Sequence, residues 1–385
     1  MRYYAPTAPP CERHRRRSFT SLTPLRCAGV TDLLALTAEL VDIASVSHHE
    51  QALADHLEGV LRAAPWLDVE RHGDNVVART DLGRRYRLVL AGHTDTVPPD
   101  GNARAMVVGD TVHGLGASDM KSGLAVFVEL ARTVAEPAVD LTYVFYAGEE
   151  VESRHNGLGH LACDRPDLLD GDAAILGEPT SGAIEAGCQG TLRLAVTVRG
   201  RRAHTARPWM GRNAIHGLAP VLALVAGYEG RRPVLGRCEF AEALQAVAVE
   251  GGVAANVVPD EARLTLNHRF APDRSPEEAE DHLRRLLAPA LGPEDTVELV
   301  DVAPGAPPAL DHPLLAALVD GAGLGVRAKL GWTDVARFAA RGVPACNLGP
   351  GDPRLAHRAD ERAERSLIEA TFTALDHLVR KGPTP

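Results

Sequence analysis

Several features that would assign a function at once are missing from this 385-residue chain. No stretch approaches the roughly 18 to 20 uninterrupted apolar residues that a membrane-spanning helix needs, which removes helical transporters and channels. Acidic residues outnumber basic ones by 51 to 41, a net charge of −10, so the concentrated positive face on which nucleic-acid binding rests is not expected. Lysine is nearly absent. Only Lys121, Lys329 and Lys381 are lysines, and beside the many Ala, Gly and Pro this reads as compositional bias. The six cysteines, Cys11, Cys27, Cys163, Cys188, Cys238 and Cys346, form no CxxC pair, in a chain too large to need stapling. Reduced thiols in the cytoplasm are the simplest interpretation. There is also no GxSxG elbow, GxGxxG, P-loop or HExxH, so serine-hydrolase, dehydrogenase and kinase chemistries fall away.

What is there is an ordinary globular composition, 45% hydrophobic and 24% charged, long enough for two to three domains with a sizeable core. Arg16-Arg17-Ser18-Phe19 resembles a twin-arginine export core, but Pro24 and Arg26 stand where an apolar segment should follow. Residues 1–30 are therefore expected to be a disordered tail. From Asp32 to Leu61 apolar residues recur at helical spacing, and then short continuous apolar runs appear: Leu88 to Ala91, Leu141 to Ala147 and Ala173 to Leu176. Continuous runs suit strands buried on both faces, hence an α/β fold with a largely parallel sheet. A different texture runs from about Thr191 to Val297. Leu192 to Val198 alternates as a half-exposed strand would, Asn213 to Tyr228 is helical, Ala262 to Phe270 alternates again, and Ser275-Pro276 with Glu278 marks a capped helix start. This predicts an α+β module inserted into the first domain. Pro344 to Gly351 is expected to be a loop, and Arg365 to Lys381 a final amphipathic helix.

Polar residues follow the buried runs at their carboxyl ends: His93-Thr94-Asp95, Glu149-Glu150 and Glu178-Pro179. Ligands of open α/β sheets bind at that edge, so these groups are expected to share a site. Asp119 follows the Gly114-Leu115-Gly116 loop and is expected to open a helix from Met120 to Val134. Alone it would be a helix cap, but several carboxylates in one cleft repel each other unless a cation holds them. His with Asp/Glu and no thiolate suits zinc first, with cobalt or manganese as substitutes. His93-x-Asp95 fits a ligand with the carboxylate that orients it. Glu149 and Glu150 point in different directions, so one ligand and one general base is the economical division. His357, after a Pro/Gly-rich loop, is the outstanding candidate for a further ligand.

In this order the motifs resemble those of the dinuclear zinc amidohydrolases, the family that includes aminoacylase, acetylornithine deacetylase, glutamate carboxypeptidases and succinyl-diaminopimelate desuccinylase. The resemblance covers about Asp32 to the C-terminus. It implies a zinc-peptidase-like catalytic domain in two parts, 31–190 and 299–385, with a lid and dimerisation domain inserted at 191–298. It further implies two Zn2+ per chain, Asp119 bridging them, with His93 and Glu178 on one and Glu150 and His357 on the other. Asp95 would orient His93, and Glu149 would be the general base. His204, in Arg202 to Pro208, resembles the lid residue that stabilises the oxyanion, acting across a two-fold homodimer. Asn256, Arg269 and Thr333 match substrate-contacting positions, although Trp332 stands where other branches have a second glycine. Glu185 to Thr191 and Gly331 to Phe338 are most similar to the actinobacterial desuccinylase type. That type hydrolyses N-succinyl-LL-2,6-diaminopimelate to succinate and LL-2,6-diaminopimelate. Another N-acylated amino acid or a dipeptide would use the same metal machinery.

Overall fold

The computed structural model describes residues 31–383. The expected tail, with its twin-arginine motif, Cys11 and Cys27, lies outside the described residues. Within them, the continuous apolar runs form strands because both faces of the sheet are covered. In strand Arg87–His93, Leu88 and Leu90 enter one apolar layer while Val89 and Ala91 enter the other. Strand Asp140–Tyr146 divides in the same way, with Leu141, Tyr143 and Phe145 opposite Val144 and Tyr146. A side-chain period of two thus sorts one uninterrupted run into two cores. Helices Leu33–Asp42, Gln51–Arg62, Ser122–Thr133, Pro313–Ala322 and Arg365–Lys381 build the first layer. Helices Gly157–Asp164 and Val335–Ala340 build the second.

The eight strands lie in the order Asp68–His72, Asn75–Arg79, Asp140–Tyr146, Arg87–His93, Ala173–Leu176, Ala345–Asn347, Ile184–Ala186, Val326–Ala328. From Asp140–Tyr146 through Ala345–Asn347 every pairing is parallel, and antiparallel pairs join the first two strands and Ile184–Ala186 to that centre. This is the expected α/β fold with a largely parallel central sheet.

Between Gly190 and Ala303 the chain forms a separate four-stranded antiparallel sheet, ordered Ala243–Gly251, Glu261–Phe270, Gly190–Arg199, Thr296–Ala303. Helices Ala214–Gly217, Ala219–Ala226 and Pro276–Leu287 pack on one face of it. The last begins at the expected capping box, in which the Glu278 amide donates to Ser275 Oγ and the Ser275 amide donates to Glu278 Oε2.

Three expectations are corrected. The Pro344 to Gly351 segment contains the buried strand Ala345–Asn347, too short for a pattern to reveal among its prolines and glycines. Leu192 to Val198 is central in its sheet and almost wholly buried rather than half-exposed. Asp119 opens no helix: its backbone is extended, and the regular helix starts at Ser122. It is therefore not a cap.

Candidate metal centre

The carboxyl ends of three adjacent parallel strands deliver the cluster. His93 ends its own strand, Glu149 and Glu150 follow Asp140–Tyr146, and Glu178 follows Ala173–Leu176. Asp119 enters from the turn before helix Ser122–Thr133, and His357 from the loop after Ala345–Asn347. His93 Nε2 is 3.1 Å from Asp119 Oδ1, while His357 Nε2 is 2.8 Å from Glu150 Oε1 and 3.8 Å from Asp119 Oδ2. Ligand atoms of His93, Asp119 and Glu178 lie within 4.8 Å of one another, as do those of Asp119, Glu150 and His357. Asp119 is common to both sets. Glu149 forms a third such group with His93 and Glu150.

Local structure fixes these positions. Asp95 accepts the Glu149 amide on Oδ1 (2.9 Å), and the Glu150 amide (3.0 Å) and the Ser47 hydroxyl (2.8 Å) on Oδ2. The orienting contact to His93 Nδ1 comes from the Asp95 carbonyl at 3.0 Å, with the carboxylate at 3.6 Å. Burial alone would raise the Asp95 carboxyl, but His93 and these two amides hold it down at about 2. The turn that turns both glutamates inward needs a left-handed residue at Gly148, whose absent Cβ would meet the His155 carbonyl at 2.4 Å. Gly349 is required by contact instead: a Cβ there would meet the carbonyl oxygens of Gly177 and Glu178 at 2.2 and 2.4 Å. The His357 loop can therefore lie directly against the Glu178 turn.

Glu361 was not singled out by the sequence, yet it builds the Asp119 turn. Its buried carboxylate accepts the amides of Gly116 (3.0 Å), Ser118 (2.9 Å) and Asp119 (2.9 Å). Burial raises the Glu361 carboxyl to about 7 against the pull of these three amides. Its nearness in sequence to His357 was the one available signal.

The electrostatics fit bound cations. Burial pushes the Glu149 carboxyl well above the usual range, with Glu178, Asp334 and Glu150 adding repulsion against His93. Burial and then Asp119 push Glu178 up to about 7. Glu178 Oε1 is buried without a hydrogen-bond partner, a costly state that a metal ion relieves. The two sets that share Asp119 offer two imidazoles and three carboxylates without thiolate, a donor set for borderline divalent ions.

The remaining sequence candidates lie elsewhere. His204 and Asn256 are brought to each other, the Thr205 amide donating to the Asn256 carbonyl at 3.0 Å and His204 bridging to Val257. Both are exposed, and among the described residues neither hydrogen-bonds to the cluster. Thr333 is buried, its hydroxyl donating to Asn347 Oδ1 at 3.2 Å. Trp332 is partly buried against the second apolar layer, its indole donating to the Pro304 carbonyl at 3.1 Å. Arg269, opposite Thr191 in the sheet, is half-buried without a hydrogen-bond or ion-pair partner for its guanidinium among the described residues. Burial and the neighbouring Arg193 both lower its pKa.

Residues 89–381 match Peptidase family M20/M25/M40. The chain belongs to this family. It is 52% identical over 345 residues to a provisionally named succinyl-diaminopimelate desuccinylase of Mycobacterium tuberculosis, covering 89% of this chain and 97% of the other. It is 46% identical over 339 residues to the succinyl-diaminopimelate desuccinylase of Corynebacterium glutamicum, covering 86% and 91%. The fold matches a tripeptidase from Staphylococcus aureus with a TM-score of 0.74 at 21% identity, over 91% of this chain and 98% of that one. It also matches a dinuclear metal binding peptidase of the M20 family from Bacillus subtilis, with a TM-score of 0.67 at 14% identity, over 89% and 95%. The chain is an M20 hydrolase.

Proposed function

We propose that this M20 hydrolase cleaves N-succinyl-LL-2,6-diaminopimelate to succinate and LL-2,6-diaminopimelate, a step toward lysine and diaminopimelate. The observation that carries the chemistry is the pair of three-residue ligand sets sharing Asp119, with Glu149 beside them. His93, Asp119 and Glu178 would hold one ion and Asp119, Glu150 and His357 the other, zinc in the first instance. When bound, two such ions polarise an amide carbonyl and lower the pKa of water. Glu149, whose carboxylate has no hydrogen-bond or ion-pair partner among the described residues and whose pKa is raised, takes the proton of the attacking water and returns it to the leaving amine. Asp95 holds the Glu149 and Glu150 amides and, through its carbonyl, His93. The substrate assignment is supported by 46–52% identity to relatives of that name over most of both chains. Arg269 is supported as a substrate-carboxylate contact by its unpaired, half-buried guanidinium. Asn256 and Thr333 are kept as contacts on resemblance alone.

The proposed architecture is a catalytic domain of 31–190 and 299–385, with 191–298 as an inserted lid that pairs two chains. The edge strand Ala243–Gly251 exposes Val247 (56%) and Val249 (62%), an unpaired apolar edge of the kind a second copy covers. His204, exposed and without a hydrogen bond to the cluster among the described residues, would then serve the partner's site. We place the protein in the cytoplasm, in keeping with free Cys163, Cys188, Cys238 and Cys346.

The deciding experiment sets zinc-loaded protein side by side on N-succinyl-LL-2,6-diaminopimelate, acetylornithine, acetyl-amino acids and dipeptides. The succinyl compound should be turned over with the highest kcat/KM, and chelation should abolish that activity until zinc is returned. Preference for another member of the panel would replace the substrate assignment.

A further inference from the structure

The scarcity of lysine acquires a meaning in the structure. In a chain that uses arginine almost everywhere, Lys381 lies exposed at the end of the last helix, whereas Lys121 is buried and Lys329 is largely covered. Lys121 is 2% exposed, its ammonium donating to the Ile43 carbonyl at 2.7 Å beneath the Asp119 turn. Lys329 follows strand Val326–Ala328, which runs against the central strands, and its side chain, 12% exposed, reaches back to Glu185, the register partner of Asn347 and, through it, of Leu176 at the carboxyl end of Ala173–Leu176. An ammonium is compact and a guanidinium is a broad planar fork, so narrow slots are where arginine cannot replace lysine.

Lys329 also carries charge that the structure does not cancel. Glu185 meets two cations: Arg327 Nε donates to Oε1 at 2.8 Å, and Lys329 Nζ lies 3.0 Å from Oε2. One carboxylate between two cations leaves a net positive charge at the rim of an acidic site. Burial works against the Lys329 ammonium, yet the fields of Glu178, Glu185 and Asp119 keep it protonated above its ordinary value. The Lys329 carbonyl accepts the Gln189 amide at 3.2 Å, two residues before Thr191, the sheet partner of Arg269. The Gln189 segment therefore joins Lys329 to the strand that pairs with Arg269, whose guanidinium has no partner among the described residues.

We propose that Lys329 is a specificity-determining residue, whose ammonium binds a carboxylate of the substrate on the Glu178 side of the cleft while Arg269 binds another. This deepens the proposed function and rests on it: the substrate bears carboxylates on both sides of the scissile amide, and either the succinyl or the amino-acid carboxylate has the chemistry that Lys329 recognises.

The test is steady-state kinetics of metal-loaded Lys329→Met and Lys329→Arg on N-succinyl-LL-2,6-diaminopimelate, with metal content measured alongside. Lys329→Met should raise KM by about 10-fold to 100-fold, the loss of one charged hydrogen bond, with kcat within about 3-fold and both ions retained. Lys329→Arg should fail to restore KM. Competitive inhibition by succinate and by LL-2,6-diaminopimelate then separates the two carboxylates, because the inhibitor that carries the recognised group should weaken and the other should not. Unchanged KM and inhibition constants would overturn the assignment, as would loss of a metal with kcat falling at constant KM. If Lys329→Met does not fold, Lys329→Gln and Lys329→Arg carry the same readouts. Should the wild-type protein ignore the succinyl compound and cleave a different N-acyl amino acid, the function proposal alone fails. The variants are then compared on that compound and on its carboxamide analogue, where equal KM effects on both would refute the role of Lys329.

Discussion

Around the four-stranded sheet, Glu242 is buried between Arg231 at 2.6 Å and Arg274 at 3.5 Å, and Asp301, Asp260 and Glu294 meet Arg193, Arg202 and Arg212 at 2.6, 2.7 and 2.6 Å. At the carboxyl edge of the eight-stranded sheet, Asp119, Glu149, Glu150 and Glu178 have histidine neighbours but no arginine at ion-pair distance among the described residues. The consequences for the carboxyl groups are opposite. Burial would raise Glu242, but its arginines and the Ala271 amide bring it below the ordinary value, whereas burial carries Glu178 up to about 7. A chain so rich in arginine could neutralise its sheet edge permanently. Left without arginine, those acids are available to the cations proposed above.

That contrast can be broken from either side. The largest effect is expected at the unpaired edge: Glu149→Gln should lower turnover by roughly 10²-fold to 10⁴-fold while metal content stays near two ions per chain. A stripped ion, seen by elemental analysis, would show that the roles of Glu149 and Glu150 are exchanged. Next comes the support of that edge. Glu361→Ala removes three amide contacts behind Asp119 and should weaken metal affinity by about 10-fold to 100-fold, with activity partly regained in excess zinc. Unaltered affinity in a competition with a chelator would mean that the Asp119 turn holds itself.

At the paired sheet the effect should fall on stability instead. Glu242→Gln is expected to cost about 1.5–3 kcal/mol in urea denaturation with metal content unchanged. Because the folded pKa of Glu242 is lowered, its contribution is fully present above the ordinary value of 4.5 and is lost as pH falls through the lower folded value. The stability gap between wild type and variant should therefore close in acid. A gap that is constant from neutral pH to below 4 would show that the pair is not the source.

The sequence displayed whatever is encoded locally. Runs such as Leu88 to Ala91, the Ser275 capping box and the ordered polar residues after each run each depend on a few neighbouring residues, and the structure places them as their patterns require. What stayed hidden depends on contacts across the chain. Ala345–Asn347 is a strand because Ala173–Leu176 pairs with it, not because three residues between prolines declare one. Glu361 reaches the Asp119 amide across 242 positions, and the double grip of Asp95 on Glu149 and Glu150 appears only when two strand ends lie side by side. The same holds for Lys329, whose rarity was visible but whose slot was not.

The acids of the sheet edge, without arginine partners among the described residues, are proposed to hold two metal ions through a shared Asp119. The most direct measurement is a calorimetric titration of metal-free protein with zinc, run in parallel on wild type and His357→Ala. Wild type should bind two ions per chain, and the variant should lose or markedly weaken one of them while retaining the other. One ion or none in wild type, or two ions bound unchanged by His357→Ala, would contradict that proposal.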